Sequence, residues 1–341
     1  MFRYQDYEDA VPFEAGLRNL NVEKHWQKID LNSYKITKPL LICLGGNGCV
    51  KTKDANGICK LFEGMIGLKP QFTNESYTKN DVDVMGFVYS KRLEHSEVGR
   101  LKDEDCKAIT EKLFMPLFKS QDGKRLTCEQ AMKNANKLNF ATHCYGATVL
   151  NNILNYIEDG IFDLGYSSKE VKQIFSQMVA INYVPETAIA HIPNLQIFSG
   201  SDRYGIPCYS SDNLKEVFYE FFDKTYKNDH MHLNTLMQEG NSVLLLTTNM
   251  LKNAGPNDDH YLECIERTHD TWESLPKNGL FADIVSKTAS FVLASAVSNS
   301  IKNCGSENFE PKMTSEDILQ AGKDILGKSQ IDCETLIEQL F

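Results

Sequence analysis

The chain has 341 residues, 42% of them apolar and 24% charged, values close to globular averages that exclude a disordered or membrane-embedded class. A formal charge of -10 argues against a nucleic-acid partner, which would need a face of clustered Lys and Arg. The N-terminal stretch has no positive segment leading into an apolar one, and no later run approaches the ~18 apolar residues of a spanning helix.

No membrane span is therefore expected, and a cytoplasmic placement is, with specialised export as an effector left open. The ten cysteines are scattered and form no C-x-x-C pair, so they read as reduced thiols, and a structural zinc is not expected.

In chain order, residues 1–37 read as an N-terminal extension. Pro39 to Leu44 is a short apolar run that stops at Gly45-Gly46-Asn47-Gly48, the pattern of a buried strand ending in a tight loop. Asp54 to Ile66 carries apolar residues at helical spacing, Val82 to Tyr89 reads as a strand, and Asp103 to Phe118 as a helix. Cys128 to Leu138 is a helix running into the strand Asn139 to Cys144, and Gly146 to Ile157 is an amphipathic helix.

Helix 169–175, strand 178–184, strand 195–198, helix 214–226 and strand 242–247 continue the alternation. Strands separated by helices predict an α/β fold, a mostly parallel sheet covered on both faces, over 38–270. The tail, 271–341, reads as extra C-terminal helices packed on that core, chiefly 279–301 and 315–326.

One pentapeptide carries chemistry. Thr142-His143-Cys144-Tyr145-Gly146 lies between a predicted strand and a predicted helix, with Gly146 two positions after Cys144 and the larger Thr142 two positions before it. A nucleophile on a sharp strand-to-helix turn demands small residues at these two positions, because strand and helix must approach closely. The segment resembles the G-x-S-x-G nucleophile elbow of the α/β-hydrolase superfamily with Cys in place of Ser, as in dienelactone-hydrolase-type enzymes. Thr142 stands where the family has its first Gly. The resemblance covers roughly residues 38–267.

It implies an α/β-hydrolase-type sheet and a Cys-His-Asp triad in the chain order nucleophile, acid, base. Asp202, in Gly200-Ser201-Asp202-Arg203 after strand 195–198, takes the place of the acid. His260, after the loop Asn253 to Asp259, takes the place of the base. Gly46 or Asn47 together with the Tyr145 N–H are the implied oxyanion donors, and His143 and Gly45 the implied substrate-lining residues. A dinucleotide phosphate loop is the competing reading of the glycines, but Lys51 stands where the third Gly is needed.

The implied activity is acyl hydrolysis of an ester or thioester through a thioester acyl-enzyme, with acyl transfer on the same triad or a non-catalytic binding protein as alternatives. The implied partner is a small-molecule or lipid-like acyl substrate, and neither cofactor nor metal is expected. His230-x-His232 has ligand-like spacing but falls in a polar stretch that reads as a loop. Residues 210–240 lengthen the interval between acid and base and form a candidate lid, with Phe218, Tyr219, Phe221 and Phe222 facing a lipophilic acyl group.

Overall fold

The computed structural model describes residues 10–11, 13–18, 26–66, 81–92, 99–183, 185–187, 189–199, 237–239, 241–247 and 280–328. Asp202, His260, helix 214–226 and all of the candidate lid except 237–239 lie outside the described residues.

Eleven strands are described, β1 (Ala10–Val11), β2 (Glu14–Arg18), β3 (Trp26–Ile29), β4 (Leu40–Leu44), β5 (Asp83–Val88), β6 (Lys91–Arg92), β7 (Leu138–His143), β8 (Val179–Tyr183), β9 (Asn194–Ser199), β10 (Met237–Glu239) and β11 (Ser242–Thr247). The helices are α1 (Thr52–Ile66), α2 (Asp103–Ile109), α3 (Cys128–Ala135), α4 (Tyr145–Asp163), α5 (Ser168–Phe175), α6 (Leu280–Asn303) and α7 (Ser315–Lys328). Nine strands form one sheet in the order β10-β11-β9-β8-β7-β4-β5-β2-β3, and β1 pairs with β6 separately. From β5 through β11 the neighbours are parallel, while β2, β3 and β10 pair antiparallel at the two edges. The architecture is a mostly parallel sheet with flanking helices.

The central strands run parallel and are buried on both sides. Every residue of β4, β7 and β8 is buried, the condition for a strand sandwiched between two helical layers. On one face α1 and α6 pack on Leu41, Cys43, Val84, Ile181 and Leu195 through Phe62, Val292 and Val297. On the other, α4 covers Ile42, Leu44, Phe140 and Ala180 through Leu150, Ile153 and Leu154.

Residues 14–18 and 26–29, read from sequence as part of an extension, are strands of this same sheet. Two contacts seat them. The Trp26 indole lies over Gly16, where a Cβ would stand 2.3 Å from the ring. Arg18 ion-pairs through Nε with Glu63 of α1 and donates from Nη1 to Asn56 Oδ1 at 2.9 Å.

The helix expected over 103–118 is broken. It widens into a π-turn at Thr110–Phe114 and tightens into a 3-10 turn at Met115–Leu117. Pro116 is the cause, since it has no N–H to donate and its ring crowds the preceding turn.

Candidate active site

The chain leaves β4 through α1 on one face of the sheet and leaves β7 through α4 on the other. Adjacent parallel strands whose connections depart to opposite faces open a crevice at their carboxyl ends, where open α/β sheets bind ligands. Gly45 and Gly46 follow β4 and Cys144 follows β7, so both segments stand at this crevice.

Cys144 occupies the residue between strand and helix, with φ 50° and ψ -121°. Among the described residues it is the only non-glycine with positive φ. An L-residue there costs roughly 1–3 kcal/mol and persists only when its surroundings over-determine it. They do so through three backbone bonds. Cys144 N–H donates to Tyr183 O at 3.0 Å, and its carbonyl accepts from Ala147 N–H and from Glu186 N–H, each at 3.1 Å.

Gly146 completes the turn. A Cβ on it would stand 2.2 Å from Leu44 O and 2.9 Å from Gly45 O, so only glycine lets the first turn of α4 touch the end of β4. Thr142, in contrast, fits without being glycine. It faces β8, where its buried hydroxyl donates to Asn182 Oδ1 at 2.7 Å.

The glycine loop lies against the turn. A Cβ on Gly46 would stand 2.9 Å from His143 Nδ1 and 3.3 Å from Cys144 Cβ, which leaves backbone as the only thing that fits between them. Asn47 is exposed at the loop's crest, and Gly48 closes it with φ 93°. Cys144, His143, Tyr145, Gly45, Gly46 and Asn47 are thus brought to one place.

Cys144 is half-buried at the N-terminus of a 19-residue helix, where the macrodipole favours negative charge. Burial pushes the thiols of Cys43 and Cys49 up, and that of Cys106 up to about 12. Among the described residues no group of three His, Cys, Asp or Glu could hold a metal ion, and no helix is long and apolar enough to cross a membrane.

Three further residues at this crevice carried no motif. Tyr89 follows β5 and donates from Oη to Gly45 O at 2.7 Å. Arg100 places its guanidinium 4.5 Å above the Tyr145 ring. Glu186 follows β8, meets Arg100 Nη2 at 3.4 Å and accepts from Thr148 Oγ1 at 3.1 Å. Tyr89 and Glu186 share one signal that could have drawn attention to them, a place at the carboxyl end of a strand beside the central pair. Arg100 shares none.

Two open clefts of about 460 and 480 Å³ lie elsewhere, one along α5 at Ser168 to Ser176 and one beside β2 and β3, and neither is lined by Cys144. No protein-family profile and no curated protein matches the chain.

Proposed function

We propose that the chain is a Cys-dependent acyl hydrolase of the α/β-hydrolase type, acting on an ester or thioester. One observation carries this reading: Cys144 is held at φ 50°, ψ -121° between a central parallel strand and a helix that Gly146 alone allows so close. That is how a nucleophile elbow lifts its side chain out of the strand and toward the crevice. A cysteine needed only for packing would have no reason to occupy strained backbone.

The glycine loop supports the same reading. In this chemistry the oxyanion is met by the N–H after the nucleophile, here Tyr145, and by one from the loop after a neighbouring strand, here Gly46 or Asn47. His260 takes the Cys144 thiol proton while Asp202 fixes the imidazole tautomer. Sulfur then bonds to the acyl carbon and the carbonyl electron pair moves to oxygen. Collapse expels the alcohol or thiol, which leaves with the proton from His260, and a thioester remains. Water gives a proton to His260, attacks the thioester carbon, and collapse releases the acid as Cys144 sulfur recovers that proton.

The test is labelling with an electrophilic thiol probe, mapped by mass spectrometry, in wild type, His260→Ala and Asp202→Asn. Cys144 should label faster than the buried cysteines and should lose that advantage in His260→Ala, with thioester or ester turnover lost in parallel. Labelling of Cys144 indifferent to His260 would overturn the triad and favour a non-catalytic binding protein. Turnover that requires an added acyl acceptor would mark a transferase instead.

A further inference from the structure

Tyr89 stands on strand β5's carboxyl end, one strand away from the loop it touches. Its hydroxyl is fully buried, and burial holds the phenol well above its ordinary range, so the group stays protonated and remains a hydrogen-bond donor. Its bond to Gly45 O, 2.7 Å long, is the contact that matters. A trans peptide is planar, and its C=O and N–H point in opposite directions. Gly45 O and the Gly46 N–H belong to one such plane.

Between two glycines neither flanking residue has a Cβ to restrict rotation of that plane, so its orientation depends on the contacts its oxygen makes. Anchoring the oxygen on the Tyr89 side therefore fixes the direction of the N–H on the other. Gly46 also lies against the elbow, its missing Cβ falling 3.3 Å from Cys144 Cβ. The same Tyr89 ring meets the Tyr145 ring edge-on, centroids 5.9 Å apart at 87°. Tyr89 thus touches both the Gly45–Gly46 peptide and the side chain of Tyr145.

We infer that Tyr89 is a positioning residue that sets the orientation of the Gly46 N–H for transition-state stabilisation, an inference that rests on the acyl-hydrolase reading. Ground-state sulfur reactivity does not need it. Alkylation of Cys144 by iodoacetamide displaces iodide without forming an alkoxide, whereas acylation by p-nitrophenyl acetate passes through one. The ratio of the two rates isolates the oxyanion hole.

In Tyr89→Phe, acylation of Cys144 should fall about tenfold, below the 10²–10³ lost when a direct donor is removed, while alkylation stays within a factor of about two. An unchanged ratio, or rates that fall together, would overturn the inference. Should Tyr89→Phe fail to fold, seen as rapid labelling of every cysteine, 3,5-difluorotyrosine at position 89 keeps the shape and strengthens the donor. The ratio should then rise, and a wild-type ratio would overturn the inference equally. A wild-type protein that alkylates at Cys144 and never acylates would instead overturn the hydrolase reading itself, a result visible before any variant is made.

Discussion

At Cys144 the backbone adopts a conformation that almost any other residue would resist as strongly. Alanine would suffer the same crowding at φ 50°, and glycine would not. In ordinary backbone, Ala→Gly destabilises by roughly 0.5–1 kcal/mol. Here the order should invert, with Cys144→Gly more stable than Cys144→Ala by about 1 kcal/mol, read from urea-denaturation midpoints. The usual order would mean that the turn relaxes once sulfur is gone. Arg100 and Glu186, each about a quarter to a third exposed, are a different case. A pair so accessible to water contributes little through charge alone, and the firm part of Glu186 is its backbone bond to Cys144.

Among the elements, α4 and β4 depend on each other through Gly146. Gly146→Ala puts a methyl 2.2 Å from the Leu44 carbonyl oxygen, and backbone cannot yield as a side chain tip does. A loss of about 2–3 kcal/mol is expected by denaturation, at the upper end of overpacking changes, together with slower labelling of Cys144 as the helix start shifts. This glycine was legible in sequence because close approach leaves no other choice at that position. The strain at Cys144 was not, since nothing in a side chain's identity reports its φ. The central strands were legible as apolar runs bounded by loop residues. Strands β2 and β3, Glu-Ala-Gly-Leu-Arg and Trp-Gln-Lys-Ile, were not, because β2 carries a charge at each end, the edge strand β3 is partly in water, and each keeps only a fragment of alternation. Thr142 looked like a departure from the elbow pattern. Asn182, forty residues away and paired with it across β8, supplies the reason it fits.

For the molecule as a whole, the helices α6 and α7 and the segment joining them tie the end of the described chain to its middle. Lys312 is buried there, its Nζ donating to Leu138 O at 2.7 Å and Asn139 Oδ1 at 2.8 Å. Burial lowers its amine well below the ordinary lysine value. The unfolded chain therefore binds a proton that the folded chain does not, between the lowered value and the ordinary ~10.4, and stability rises with pH across that window. Above it the penalty is gone, and below the lowered value the slope is zero. Relative to Lys312→Met, the wild type should gain stability as pH rises toward 10, measured as melting temperatures in parallel buffers, and parallel curves would mean that the amine keeps its charge when buried.

The timing of synthesis adds a consequence of how α6 is placed. Leu41, Phe62, Val84 and Ile181 are covered by Val292, Leu293 and Val297. About 235 residues separate the end of β4 from α6, roughly 10–50 s of translation at about 5–20 residues per second. Throughout that interval one face of the growing sheet has helix α1 and nothing from α6 upon it, an apolar surface open to other chains. Premature termination before α6 should therefore be a route to aggregation and not merely to a shorter protein, since that face then never receives its covering helix.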